Sequence, residues 1–373
     1  MNKLITILVL TVALGSSALA RESTEIIGAR YLGMGDCFIA CSRDRSILFA
    51  NPAALDRPDG RMFTAMGLVS SVNSKTTDVV RFALDHRKDF ENVSDMSEAD
   101  QNAFFDDIVN NINFKRMNLM LSIEPFGMIQ RPVGGTVFSD SRATGMAFRG
   151  ASGTPLVDAD LRQDFGGIVG FGWGWTGLRS FLPNRLSVGA SLKYIHRSIF
   201  STRETVTELS DGEGAKMLNG TTVGLDLGLL YDINSRLCVG AAIYDAIAGD
   251  IKWKGDSTTY SRVEPGDIEK IEPALRLGVT CRLPWNVPHL SSELVAFDLN
   301  EPFDGDVSFF KKIHAGIEAS VLASWFKVRM GISQGYPTVG LSVFGLTYAY
   351  YTEEEGRHAG QLPDRRHVIS FGL

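Results

Sequence analysis

Along most of this chain apolar and polar side chains alternate residue by residue, the period of an extended strand with two unlike faces. The clearest stretch runs from Asp164 to Trp175. Phe165, Val169, Phe171, Trp173 and Trp175 fall on one parity, and Gly166, Gly170, Gly172 and Gly174 on the other. Leu186, Val188, Ala190, Leu192 and Tyr194 alternate in the same way with Ser187, Gly189, Ser191 and Lys193. The stretches Val223 to Tyr231 and Leu275 to Cys281 repeat the pattern. In 313–320 and 326–333 the polar parity carries charge (His314, Glu318, Lys327, Arg329). Large apolar groups on one side, with glycine and charge on the other, predict strands that face lipid outside and a crowded polar interior. A soluble sandwich would also alternate. Two features favour a membrane barrel: charge stays off the apolar parity, and Trp173, Trp175, Tyr194, Tyr231, Tyr348, Tyr350 and Tyr351 lie toward strand ends, as interfacial girdles do.

The alternating runs predict strands near 61–70, 76–84, 115–124, 143–150, 164–175, 186–197, 221–232, 236–245, 273–283, 291–299, 312–320, 325–334, 337–344, 346–352 and 366–373. Single-chain bacterial barrels have even strand numbers. The expectation is therefore an all-β, antiparallel transmembrane barrel of about fourteen strands over 61–373, with one early run left to a plug or loop. The final run, Arg366 to Leu373, places Ile369, Phe371 and Leu373 on one face. A chain that stops inside an alternating strand needs a partner for it, and closing onto the first strand leaves no open edge. Ile369, Phe371 and Leu373 are accordingly the expected assembly signal. One helix is expected over about 97–112, where Ser97-Glu98-Ala99-Asp100 forms a capping box and Ala99, Ala103, Phe105, Ile108, Val109 and Ile112 recur at helical spacing. Its acidic face (Glu98, Asp100, Asp106, Asp107) places it outside the bilayer.

The first twenty residues read as a secretory signal: Lys3, an apolar run from Leu4 to Leu14, then Ala18-Leu19-Ala20. The run is too short to span a membrane, so cleavage is expected after about Ala20. Export combined with a barrel points to the bacterial outer membrane, with its lipid and the barrel assembly machinery as partners. A net charge of −6 argues against nucleic acid. Cys37, Cys41, Cys238 and Cys281 could form two disulfides in an oxidising compartment, but their apolar neighbours slightly favour four free, packed thiols. No nucleophile-elbow, zincin, Walker or dinucleotide pattern stands out, the six histidines are scattered, and the cysteine spacing matches no zinc site. No enzymatic activity, cofactor or metal is expected. Asp140, Arg142, Asp158, Asp160, Arg162 and Asp164 read as a solvated loop, with calcium at a rim as the alternative.

Between the signal and the first strand, residues 28–55 read GARYLGMGDCFIACSRDRSILFANPAAL. Three glycines free the backbone, small residues allow close packing, and Asn51-Pro52 marks a turn. The segment is too glycine-rich and irregular for a lipid-facing strand and fits a lumen. Gly28-Ala29-Arg30, Gly33-Met34-Gly35, Asp44 and Asn51-Pro52-Ala53, together with Tyr348-Ala349-Tyr350, Glu355-Gly356 and the strand His367 to Leu373, resemble outer-membrane proteins of the long-chain fatty-acid transporter (FadL) type and the related PorV-like and UPF0164-like barrels. The resemblance covers about a fifth of the chain. Asp36, Cys37 and Cys41 depart from the small residues usual there. It implies a monomeric barrel of about fourteen strands, residues 21–60 folded inside as a hatch, and passive transport of small hydrophobic ligands, often leaving through a kink in the wall. Gly33, Met34, Gly35, Asn51, Pro52 and Ala53 are the candidate hatch and ligand-path residues. Related barrels also serve as platforms for secretion, conjugation or surface assembly, so the fold alone leaves that alternative open.

Overall fold

Fourteen antiparallel strands close into a ring in the computed structural model. It describes residues 26–149, 155–177, 184–205, 217–255, 263–283, 290–321 and 325–372, apart from 59, 88, 90–95, 98, 101, 102, 105, 108, 109 and 111–115. The strands are β1 (Arg61–Thr64 and Gly67–Asn73), β2 (Met117–Gln130), β3 (Val133–Arg149), β4 (Pro155–Trp175), β5 (Leu186–Thr205), β6 (Leu218–Asp232), β7 (Leu237–Ala248), β8 (Ala274–Arg282), β9 (Leu290–Asn300), β10 (Ile313–Val321), β11 (Phe326–Ser333), β12 (Tyr336–Val343), β13 (Leu346–Glu354) and β14 (Pro363–Gly372). Each pairs with its successor, and β14 closes on β1 from Arg366↔Asn73 to Gly372↔Gly67. The first half of β1 lies beyond the end of β14 and pairs with β2 alone.

The alternation sorts as expected. Phe165, Val169, Phe171, Trp173, Leu192, Val223, Met330 and Ile369 are exposed on the outer surface. Ser191, Lys193, Asp226, Asp298, Glu318 and Arg329, on the other parity, are buried inside. No described helix is long and apolar enough to cross a membrane; here it is the strands that present an apolar outer wall. β1, β5, β7 and β9 all end at one rim, from which the longer connections start, and turns such as 131–132, 233–236 and 344–345 lie at the other rim, with the end of β14. In barrels of this kind the long loops are extracellular and the short turns periplasmic. Those ends are called outer and inner below.

The run 76–84 is not a strand. It lies in α3 (Ser74–Asp85), following α1 (Ala29–Gly33) and α2 (Ile47–Ala50) of the N-terminal segment. The side chain of Asn73 accepts the Thr76 N–H at 2.9 Å and caps the helix. Thr76 and Val79 are buried three residues apart, with exposed Thr77 and Asp78 between them. This is a helical period that a count of alternating positions misreads. Within 97–112, residues 99, 100, 103, 104, 106, 107 and 110 are helical and the Ser97 hydroxyl accepts the Asp100 N–H. The apolar positions Phe105, Ile108, Val109 and Ile112 lie outside the described residues.

Two further expectations change. β4 and β5, at 21 and 20 residues, are roughly twice the 9–11 residues that span a bilayer. The charged residues expected in a solvated loop (Asp140, Arg142, Asp158, Asp160, Arg162 and Asp164) lie in the outer parts of β3 and β4, where they are paired on the lumen face. Asp140 meets Arg142 at 2.8 Å, Asp158 meets Arg203 at 2.5 Å, and Asp164 meets Arg162 at 2.5 Å and Arg197 at 2.8 Å. Sequence-adjacent charges of both signs read as a solvated loop until the neighbouring strands bring their counter-ions. Tyr351 is also not a girdle residue: it is buried on the lumen face, with Arg366 3.5 Å from its hydroxyl.

Closure makes a direct prediction. Ile369 is 47% exposed on the outer face and pairs across the seam with Ser70. Charge on a lipid face costs about 2–4 kcal/mol at mid-membrane and less near an interface. Ile369→Asp is expected to lower the amount of folded, heat-modifiable barrel in outer-membrane fractions, with Ile369→Val near wild type. Equal folded amounts of the two variants would refute the lipid-facing assignment.

Candidate functional site

The N-terminal segment lies within the ring of strands and is bolted to two opposite walls. On one side, α1 ends against β10 to β12. A Cβ on Gly33 would come within 2.7 Å of the Gly340 Cα, so only a glycine pair permits this approach. The Thr338 hydroxyl bridges the Gly33 carbonyl (3.1 Å) and the Gly35 N–H (3.0 Å), and His314 Nδ1 lies 3.0 Å from the Gly35 carbonyl. Gly35 takes a left-handed φ of +72°, turning the chain where the backbones of β10 and β11 press on it. Met34 is fully buried over Gly316.

On the other side, Asn51 is fully buried. Its amide nitrogen donates to the carbonyls of Ile39 (3.0 Å), Leu229 (3.3 Å) and Ala241 (3.3 Å), and its side-chain oxygen accepts the Ala53 N–H (3.1 Å). That last bond caps the short 3₁₀ helix Pro52–Asp56, with Pro52 at its first position. Gly172, Gly189 and Gly228, on the lumen parity of β4 to β6, leave the space that Pro52 and Ala53 occupy. The glycine parity that marked these strands in the sequence is thus the imprint of the segment inside them.

Charged groups complete the anchoring. Asp298 accepts the N–H groups of Phe38 (2.7 Å) and Ile39 (3.0 Å). Glu318 takes Arg30 of the segment at 2.8 Å and Arg329 of the wall at 2.6 Å. Asp56 receives Arg185 Nε (2.7 Å) and Ser187 (2.9 Å). Opposite charges that satisfy one another where water is scarce hold position as well as stability.

This arrangement divides the lumen. An outer cavity of about 810 Å³ is lined by Ile27, Leu32 and Asp36 of the segment and by wall and loop residues including Met120, Leu275, Arg276, Phe303, Tyr351, Glu353 and Arg366. An inner cavity of about 360 Å³ is lined by Arg30, Ala40, Cys41 and Arg43 of the segment and by Asp232, Arg236, Thr280 and Arg282 among others. The six residues singled out in the sequence fall into the two wall contacts, Gly33 to Gly35 on one side and Asn51 to Ala53 on the other. None of them lines either cavity. The cavity-lining residues of the segment are their neighbours, which carried no motif. Asp298, Thr338 and Asp56 were likewise missed, because a single polar residue on a lumen parity looks like any other.

Among the described residues no group of three or more His, Cys, Asp and Glu side chains is arranged to hold a metal. All four cysteines are free: Cys37, Cys41 and Cys238 are buried and Cys281 is half-buried. Burial raises the Cys37 and Cys41 thiols well above the ordinary thiol range. Both are therefore unreactive thiols for as long as the segment stays in place.

The fold and its contents define a closed fourteen-strand barrel with an apolar outer wall and a lumen divided by its own N-terminal segment. Among solved structures the chain is similar to the toluene transporter TbuX of Ralstonia pickettii (13% identity, covering 93% of this chain and 98% of that one, TM-score 0.48). It is also similar to the toluene transporter TodX of Pseudomonas putida (14% identity, 93% and 97%, TM-score 0.47). A Pseudomonas aeruginosa FadL homologue aligns more loosely (10% identity, 92% and 97%, TM-score 0.28). These likenesses concern the fold. No family model matches the chain, and no curated protein matches it.

Proposed function

We propose that this protein is an outer-membrane barrel that passes small hydrophobic compounds, with the N-terminal segment as its hatch. The observation that carries the reading is the outer cavity: a pocket of about 810 Å³ in the lumen, ending on the segment itself, to which Ile27, Leu32, Met120 and Tyr351 contribute apolar surface. That volume is in the range of small-molecule sites. A compound collected there is stopped by the hatch, so passage requires the segment to shift. The charged groups of the same cavity (Asp36, Arg276, Glu353, Arg366) favour a cargo with a polar end over a pure hydrocarbon.

A second reading, a barrel that transports nothing and serves as a platform for secretion or surface assembly, is favoured by how firmly both wall contacts are made. One experiment separates the two. Liposomes containing the purified mature barrel are assayed for uptake of a labelled hydrophobic compound and, in parallel, of a sugar. Transport predicts faster uptake of the hydrophobic compound than in protein-free liposomes, with no sugar flux. Uptake of neither supports the platform, and rapid sugar flux would show an open pore incompatible with a seated hatch.

A further inference from the structure

The inner cavity is surrounded by positive charge that the protein does not neutralise. Arg236, in the turn that precedes β7, and Arg282, at the end of β8, are both exposed and stand side by side at the inner rim, joined by a backbone hydrogen bond from the Arg282 N–H to the Arg236 carbonyl at 2.9 Å. Like charges held next to each other repel, and an anion between them relieves that repulsion. Arg43, from the N-terminal segment, faces the same cavity. Among the described residues none of these three arginines forms an ion pair.

The carboxylates nearby are already engaged. Asp232 is held by Arg57 at 2.8 Å, and Glu318 by Arg30 and Arg329. A second observation points into the same space. Thr280 lines the cavity, is only 5% exposed, and its hydroxyl has no hydrogen-bond partner. A buried hydroxyl left unpaired loses the hydrogen bond it had in water, and a ligand accepting its proton would restore it.

We propose that the inner cavity is a binding site for a small soluble oxyanion, the carboxylate or phosphate group of a periplasmic solute, held by Arg43, Arg236 and Arg282 with the Thr280 hydroxyl as a neutral donor. Guanidinium groups suit this chemistry because their planar donors match the oxygens of a carboxylate or phosphate two at a time. The volume of about 360 Å³ admits a small molecule and not a folded partner. Arg43 belongs to the segment while Arg236 and Arg282 belong to the wall, so a bound anion would also tie the inner side of the segment to β7 and β8. The site does not depend on which compound crosses the barrel.

The test is calorimetric titration of the full mature barrel, in a neutral maltoside detergent, with inorganic phosphate and separately with succinate. Saturable binding of at least one probe is expected, weakened several-fold by 0.5 M NaCl, as exposed charge pairs are. The double variant Arg236→Gln with Arg282→Gln should weaken it by about tenfold or more, the scale of losing one charge-assisted contact. Thr280→Val, close to isosteric, should weaken it by a smaller factor at unchanged heat-modifiable mobility, which reports that the barrel is folded. The proposal is overturned if neither probe binds, or if binding is the same in both variants. It is equally overturned if only phosphatidylglycerol in mixed micelles binds, which would make the arginines a lipid-headgroup contact.

Discussion

Lys193→Met is expected to destabilise the barrel by about 3–5 kcal/mol, the cost of leaving buried charges without their partner. Lys193 projects into the lumen from β5 and its ammonium lies 2.8 Å from both Asp226 and Asp245. All three side chains are at most 5% exposed. Asp226 also accepts the Asp245 N–H at 2.7 Å, and Asp245 holds a left-handed backbone (φ +50°), so the cluster shapes the β6–β7 hairpin as well as neutralising it. Methionine keeps most of the volume and removes the charge, which leaves two carboxylates facing each other. The measurement is the urea midpoint of unfolding followed by heat-modifiable gel mobility. Adding Asp226→Asn and Asp245→Asn to the same chain should recover much of the loss, since the repulsion is then gone. A midpoint for Lys193→Met equal to that of the wild type would mean that water reaches this part of the lumen freely.

The second large effect is functional. Gly33→Val is expected to unseat the N-terminal segment while the ring of strands persists. The new Cβ would meet the Gly340 Cα at 2.7 Å and its backbone nitrogen at 3.1 Å. Neither atom is the end of a side chain that could turn aside, so the segment itself must move, at about 1–3 kcal/mol for overpacking. Cys37 and Cys41, now buried and unreactive, would then become available to a polar maleimide, and ion conductance in planar bilayers should rise. Gly60→Val is the control, because nothing lies within 4 Å of its Cβ position. Slow labelling and unchanged conductance in the Gly33 variant would show that this contact does not hold the segment closed.

Most of the wall was legible in the sequence because lipid on one side and a crowded lumen on the other impose a two-residue period that single residues cannot hide. Thirteen of the predicted runs fall on β2 to β14 and the first on β1. The failures have local causes. The run 76–84 contains Val79 and Val80, which look like strand residues until the Asn73 cap commits the chain to a helix. Asp158, Asp160 and Asp164 read as part of a solvated loop because Arg203, Ser201 and Arg197, which pair with them, lie on β5, and a linear reading does not see cross-strand neighbours. The N-terminal anchors were legible as a motif but not in their roles. Asn51 could be expected to bond backbone groups, whereas its span across Ile39, Leu229 and Ala241 depends on two strands more than 170 residues away. The arginines around the inner cavity carried no signal, since Arg236 and Arg282 come together only when β7 pairs with β8, and Arg43 joins them only when the segment is seated.

The way the segment is tied to the last strand bears on the order in which the molecule comes into being. Ala29 donates its N–H to Ser370 at 3.2 Å, and Arg45 reaches the Phe371 carbonyl at 3.0 Å, lying across Gly67 and Gly372 where β1 and β14 meet. The earliest part of the described chain to leave the ribosome is therefore sealed by the latest, and its contacts mark the seam itself. A ring that shut before the segment had settled would find the space beneath that seam empty and the Arg45 guanidinium without its carbonyl. The barrel is in this sense wrapped around its contents, and the seam between its first and last strands carries contacts to the piece made first.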